Sequence, residues 1–202
     1  MIKNSLVALS VLALTGCLFS MEARYTLDDK QFKTSGEYLQ AVDAKMSNLS
    51  KSIEPLPKTV TQQKLLIAIP SQDAFVARVQ PNIDKVATKS LLVPGGEKAG
   101  RDLIETNAKA DYLGVKVLAD AVIQRNIYPT VQIVNMPETT GNYAATADTD
   151  VLYLAITGGS AQWFFESAKR GRSPFAYDRS SSNPSVMTQK FVDAVQSQAE
   201  ID

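Results

Sequence analysis

The amino-acid sequence predicts an α/β fold in which helices flank a mixed sheet, and three patterns carry this prediction. Leu65–Ile69 and Val151–Ile156 are unbroken apolar runs of strand length, which is typical of strands buried on both faces. The longest helical pattern of the chain lies between them, from about Arg101 to Asn126. This succession of buried strand, long helix and buried strand is typical of a helix-covered sheet.

A short helix is expected before the first buried strand. It extends from Ser35 to about Ile53, and its apolar side chains recur at three- and four-residue steps: Tyr38, Leu39, Val42, Met46 and Leu49. The alternative is a tether that becomes ordered only against its own domain. Pro55 and Pro57 end the helix and make Glu54–Gln63 a stiff connector.

Helices and turns are expected between the first buried strand and the long helix. Ser71 is the predicted N-cap of a helix, and a second helical segment is predicted over Asn82–Leu92. A turn at Pro94–Gly96 follows. The long helix is predicted to carry one apolar stripe, with these members: Leu103, Ala110, Leu113, Val117, Leu118, Ala121 and Val122.

The remaining predicted elements lie between the long helix and the C-terminus. They are a strand at Thr130–Met136, a turn at Gly158–Gly159, a strand at Ala161–Phe165 paired back on the second buried run, a strand at Ser173–Asp178, and a helix from about Val186 to Gln198. Asn126 is expected to end the long helix and Ser185 to cap the last one.

Residues 1–16 have the pattern of a secretory signal peptide. Lys3 gives a positive start, and Leu6–Leu14 form an apolar run that is too short to cross a bilayer. The segment ends immediately before the single cysteine of the chain, Cys17.

The tetrapeptide Leu14–Cys17 (Leu-Thr-Gly-Cys) resembles the lipobox of bacterial lipoproteins. The resemblance implies attachment of diacylglycerol to the Cys17 sulfur, cleavage before Cys17, and acylation of the new amino group, and several acyl chains anchor stably. Leu18 stands where lipoproteins retained in the inner membrane often carry Asp, so the resemblance favours the outer membrane and a domain that faces the periplasm. The alternative is an ordinary signal peptide followed by a chance cysteine.

The predicted organisation is a signal peptide over residues 1–16, a lipid anchor with a helical or flexible tether over residues 17–63, and the α/β domain over residues 64–202. The element order of residues 64–165 is similar to that of the periplasmic TolB-N-terminal/CsgG-like group. The similarity lies in the two buried strands, a long helix ending in Arg125–Pro129, and the Val131–Val134 strand. It implies helices on one face of a mixed sheet and a role in envelope assembly or secretion. The implied partners are the membrane through the anchor, envelope proteins, and a second copy of the chain.

Composition excludes several classes of function. The chain has no histidine and one cysteine, which removes the usual general base, the Ser-His-Asp triad and thiolate metal sites once Cys17 is lipidated. The 21 basic and 21 acidic residues balance, which argues against nucleic-acid binding. We therefore expect a non-catalytic binding or assembly module of the cell envelope, without a cofactor or a metal.

The aromatic and basic segment that begins at Trp163 is the strongest candidate for a binding surface. Aromatic rings beside cations suit a protein, a glycan or an anionic lipid headgroup. The predicted partner-contacting residues are Phe164, Lys169, Arg170 and Arg172. If Trp163 points into the core, Phe164 must point to the opposite face of the strand. The alternative is that the aromatic residues fill the core and the basic loop is solvated.

Carboxylates indicate an alternative, enzymatic function, because they can act without histidine or cysteine. A lipid-anchored hydrolase of envelope glycan would draw on four residues: Glu97, Asp148, Asp150 and Glu166. Asp148 and Asp150 also offer two oxygen ligands for Ca²⁺, although turn formation accounts for them better. The third alternative is a structural lipoprotein without a specific ligand.

Overall fold

The computed structural model describes residues 25–79, 96–136, 144–157 and 160–201. The elements are, in chain order, β1 (Tyr25–Leu27), β2 (Lys30–Phe32), α1 (Ser35–Lys51), β3 (Lys64–Pro70), α2 (residues 72–79), α3 (Gly96–Arg125), β4 (Thr130–Met136), β5 (Thr149–Thr157), β6 (Ser160–Ser167), β7 (Gly171–Pro174) and α4 (Pro184–Ile201). The predictions for the signal peptide, Cys17, the helix at Asn82–Leu92 and the turns at Pro94–Gly95 and Gly158–Gly159 lie outside these ranges.

The α/β prediction is confirmed by a mixed five-stranded sheet of order β4–β3–β5–β6–β7. β3 pairs in parallel with β4 and β5, whereas β6 and β7 are added in antiparallel orientation. The two unbroken apolar runs are therefore the neighbouring inner strands β3 and β5, where both faces of a strand can be buried. Among the described helices, none has both the length and the apolar character needed to cross a bilayer.

One face of the sheet packs against α3 and α4 and forms the main core. Leu152, Trp163 and Phe165 point to this side, and each is at most 3 % exposed. Phe191 of α4 is fully buried, and its ring centroid lies 5.1–5.3 Å from those of three aromatic residues: Trp163, Phe175 and Tyr177. Tilted and edge-to-face aromatic contacts thus join α4 to β6 and to the segment after β7.

Helix α3 is buried on two sides, which corrects the prediction of one apolar stripe. Leu118, Ala121 and Val122 belong to the core between α3 and the sheet. Leu113 and Val117 belong instead to a second core, which α3 forms with α1 and the β1–β2 hairpin. Apolar residues on two arcs of one helix require two neighbours, so α3 lies between the sheet and α1.

The segment before β3 begins with a hairpin that the sequence analysis did not predict. Its turn consists of Asp28 and Asp29, whose φ angles of 50° and 63° are the positive values that two-residue hairpin turns favour. The predicted short helix is present as α1. The Thr34 hydroxyl accepts from the Glu37 N–H at its start, and Tyr38 is buried against the hairpin.

The connector after α1 is held by the end of α3. The N–H groups of Leu56 and Val60 donate to the carbonyl oxygens of Arg125 and Ile127, at 2.9 and 2.8 Å. The Arg125 side chain donates back to the carbonyl oxygen of Glu54 at 2.9 Å. Residues 25–63 therefore pack on the α/β domain.

The largest differences between the predicted and the observed element boundaries are at α3 and β7. α3 begins at Gly96 instead of about Arg101, and Ala99 in the added turn is buried. The strand predicted at Ser173–Asp178 is wrong, because β7 ends at Pro174. Proline has no N–H to continue a ladder. Beyond it, the Phe175 N–H donates to the Trp163 carbonyl oxygen at 2.9 Å, and the Phe175 side chain enters the core.

Of the three predicted helix caps, two are confirmed and one is wrong. The Ser71 hydroxyl accepts a first-turn N–H of α2 at 3.3 Å, and Asn126 ends α3 with a φ of 59°. α4 begins at Pro184, and the side-chain oxygen of Asn183 accepts the Ser185 N–H at 2.9 Å. Asn183 is thus the cap instead of Ser185, since proline suits the first helical position.

Asp111 of α3 is an ionisable group whose burial affects stability. Burial raises its pKa from 3.8 to about 6. The pKa of nearby Tyr38 is also raised, first by burial and then by the charge of Asp111. As the pH rises from about 4 to about 6, the unfolded chain loses this proton before the folded chain does. The free energy of unfolding therefore falls across this window and stays lower above it.

We expect Asp111→Asn to remove this fall. At each pH we take the free energy of unfolding of the variant minus that of the native chain. This difference should be about 1–3 kcal/mol larger at about pH 7 than at about pH 4. Urea unfolding of the full chain at both pH values measures the difference. Asp102→Asn, at an exposed position of the same helix, is the matched control. An unchanged pH dependence in Asp111→Asn would contradict this role of burial.

Candidate functional site

Strand alternation presents a second set of side chains on the sheet face opposite α3 and α4, which we name the far face. On β6, Trp163 and Phe165 point into the core, and Phe164 between them points to the far face. The predicted orientation of Phe164 is therefore confirmed, and its side chain is half-buried. The ladder places Tyr153 of β5 and Pro174 of β7 on either side of Phe164.

Tyr153, Phe164 and Arg172 form one stacked group, which we name the far-face stack. The ring centroids of Tyr153 and Phe164 lie 5.4 Å apart, and their planes are inclined by 18°. The guanidinium carbon of Arg172 lies 4.4 Å from the Phe164 centroid and 5.2 Å from the Tyr153 centroid. Residues directly opposed on antiparallel strands bring their side chains together, so the β5–β6 ladder places the two rings side by side. The β6–β7 ladder pairs Arg172 with Glu166, which puts its guanidinium diagonal to Phe164.

The guanidinium of Arg172 retains its hydrogen-bonding capacity. Arg172 is exposed, and within the described ranges its guanidinium forms no hydrogen bond and no ion pair. Cation–π attraction holds the group against the rings without engaging its N–H donors. Burial raises the pKa of Tyr153, the charge of Arg172 opposes the rise and Glu166 adds to it. The phenol is therefore neutral at physiological pH.

The predicted basic loop is divided between the two sides of the sheet. The Nη atoms of Arg170 donate to the carbonyl and side-chain oxygens of Gln198, at 2.8 and 3.0 Å. The same guanidinium lies 5.7 Å from the Phe165 centroid, on the core side. The last turn of α4 has no basic residue of its own, so Arg170 supplies the positive charge that a helix C-terminus favours. Lys169 is exposed in the β6–β7 turn. Of the predicted residues, the structure joins Phe164 with Arg172 and directs Arg170 elsewhere.

The sequence analysis missed Tyr153 as a member of this group. Tyr153 lies inside an unbroken apolar run, which predicts burial on both faces. Its position opposite Phe164 follows only from the pairing register of β5 and β6. An aromatic residue on each of two strands joined by a short turn is the signal that would have found it.

Two of the carboxylates proposed for the hydrolase lie on opposite faces of the sheet. Asp150 is fully buried on the core side, and the Tyr128 hydroxyl donates to it at 3.1 Å. Glu166 points to the far face and accepts from the Ala145 N–H at 3.3 Å. A glycosidase needs both carboxyl groups beside one bond, about 5–10 Å apart. The sheet separates Asp150 from Glu166.

The other two proposed carboxylates are Asp148 and Glu97. Asp148 is exposed, and its pKa is lowered chiefly by hydrogen bonds from the hydroxyls of Thr146 and Thr149, with a smaller effect of Lys64. The side chain of Glu97 lies outside the described part of the chain. Across the described residues, no group of three or more acidic, histidine or cysteine side chains is placed to hold a metal ion.

No protein-family model, curated protein or solved structure matches the chain. The similarity of its element order to the TolB-N-terminal/CsgG-like group and the lipobox resemblance at Cys17 stay predictions. A fold alone does not assign a function. The far-face stack is the group in which the structure joins two of the predicted partner-contacting residues, Phe164 and Arg172.

Phe164 and Phe165 provide a matched test of the two faces, because they are neighbours of the same residue type. We expect Phe165→Ala, at a core position that is 2 % exposed, to lower the free energy of unfolding by about 3–5 kcal/mol. Phe164→Ala should cost only about 1–2 kcal/mol, since it removes a half-buried ring and one stacking contact. Urea unfolding of both variants measures the difference. Equal losses would contradict the assignment of Phe164 to the far face.

Proposed function

We propose that this chain is a non-catalytic binding or assembly module of the bacterial cell envelope, anchored through lipid at Cys17 to the outer membrane and facing the periplasm. The observation that carries the proposal is the far-face stack, in which an exposed guanidinium lies against two aromatic rings and its N–H donors have no partner among the described residues. Arginine and aromatic residues are enriched at protein interfaces and among their energetically dominant residues. The proposed partner is an envelope protein.

Recognition would begin with the Arg172 guanidinium, whose planar fork of donors matches a carboxylate in two parallel hydrogen bonds. The contacts with Phe164 and Tyr153 already restrict this side chain. Less conformational entropy is then lost on binding than for a freely rotating arginine. The half-buried rings supply the apolar contact area beside the charge-assisted bonds.

The proposed lipid anchor would act through effective concentration. Restricting the domain and an envelope partner to the same membrane makes their encounter partly intramolecular, which raises apparent affinity without any new contact. A weak far-face interaction would then be sufficient for assembly. Neither step requires a cofactor.

We expect Arg172→Ala to reduce partner association about fivefold or more, because it removes the charged part of the far-face stack. The measurement is in-cell photo-crosslinking from p-benzoylphenylalanine at position 164, with and without Arg172→Ala. Arg179→Ala is the matched control, since Arg179 lies 4.6 Å from the Tyr177 ring, which packs on α4. Identical crosslinked products in both variants would contradict a far-face interface. The absence of any discrete product from position 164 would favour a structural lipoprotein without a specific ligand.

We expect Cys17→Ser to abolish labelling by radioactive palmitate and to release the protein from the sedimented envelope fraction, because the acyl chains provide the attachment. Fractionation and autoradiography of cells that express each form measure this. Ser20→Ala, which leaves both the predicted apolar run and Cys17 unchanged, controls for general effects on export. The lipoprotein assignment would be wrong if Cys17→Ser stayed in the envelope fraction, or if palmitate did not label the native chain.

A further inference from the structure

Within the described residues strand β4 forms one edge of the sheet, and its own sequence lacks the short length, charges and prolines that usually protect an edge strand. It is seven residues long and pairs with β3 along its whole length, from Lys64–Thr130 to Pro70–Met136. Its sequence, Thr-Val-Gln-Ile-Val-Asn-Met, contains no charged residue, no proline and no glycine. No described strand pairs with its outer side. An unpaired edge of this kind offers a row of N–H and C=O groups to another strand.

The opposite edge of the same sheet is strand β7, and it has the protective features that the sequence of β4 lacks. β7 is only four residues long and carries the charged Arg172. It begins at Gly171, which has a φ of 68°, and ends at Pro174. Short length, charge and proline are the features by which natural sheets prevent pairing at an edge. Of the two edge strands of the described sheet, β7 therefore has these protective features and β4 does not.

We infer that β4 pairs antiparallel with β4 of a second copy of this chain, about a two-fold axis at Ile133. In this register Gln132 lies opposite Val134 of the second copy, and Val131 lies opposite Asn135. No pair joins two charges, and each pair lies on one face of the sheet because partners differ by an even number of residues. The strand is thus complementary to itself, as an interface with two-fold symmetry requires.

The core beneath β4 also favours this partner. Val131 and Ile133 are half-buried and pack against the main core at its margin. Pairing about Ile133 brings the two Ile133 side chains next to each other and places Val131 opposite Asn135 on the same face, so the apolar layer under one sheet continues through Ile133 into the layer under the other. Both five-stranded sheets then form one continuous sheet. This inference is independent of the far-face stack and of lipid attachment.

The test places charges at positions that face each other across the proposed axis. In Gln132→Lys/Val134→Lys, two pairs of ammonium groups oppose each other, and we expect the dimer dissociation constant to rise about tenfold or more. In Gln132→Lys/Val134→Glu, each lysine opposes a glutamate of the second copy, and dimerisation should be restored. Ser160→Lys/Gln162→Lys is the matched control, because it adds two lysines at the same spacing to exposed positions of β6, which β3 and β5 separate from β4.

Sedimentation velocity of the full chain in density-matched detergent measures the association, and circular dichroism establishes that each variant is folded. A native dimer that is lost only in the lysine pair and regained in the lysine–glutamate pair supports the inference. A native chain that is monomeric at every concentration overturns it, as expected if another segment of the same chain covers β4. A dimer that persists in the lysine pair, or is not restored by the lysine–glutamate pair, also overturns it.

Discussion

The two-sided burial of α3 is the constraint on which the rest of the structure depends. One arc of this helix packs on the sheet and the other on α1, and Ala119 and Ala121 are completely buried. Small side chains let a helix approach its neighbours closely. Because α3 and α4 pack on one face of the sheet and α1 packs outside α3, these three helices lie together on that side. The alternate side chains of β5, β6 and β7 are thereby left to form the far face.

The same core determines the geometry of the far-face stack through strand register. Trp163 and Phe165 are locked beneath α4, so Phe164 between them must point away from the helices. A slip of one residue would bury Phe164 and expose both of its neighbours, which the apolar core strongly disfavours. The energy that holds the stack in place therefore comes from residues on the other side of the sheet. The side chains of the far-face stack therefore need to add little stability themselves, and among the described residues the N–H donors of Arg172 are unengaged.

Residue patterns within single segments predicted those elements that are determined by the sequence of the segment itself. The inner strands β3 and β5, the long helix and the outward direction of Phe164 follow from periodicity, and all are present in the structure. Non-local pairing explains most of what was missed. Tyr153 joins the site through its ladder partner, and Arg170 separates from Arg172 because Gly171 between them has a positive φ and begins β7. The two arcs of α3 likewise form one broad apolar stripe in the sequence, because the sequence alone does not show that α1 packs on one of them.

The far-face stack and the β4 edge lie at opposite sides of the same sheet, and this arrangement has a geometric consequence. A two-fold axis normal to the sheet, as antiparallel pairing of β4 requires, would keep both stacks on the same face of the joined sheet. From β6 of one copy to β6 of the other there are seven strand spacings, or roughly 34 Å at about 4.8 Å each before twist is considered. A dimer would thus present two identical arginine–aromatic groups in one direction. Weak recognition at each group would then combine into strong attachment to any partner that repeats its carboxylate at a similar distance.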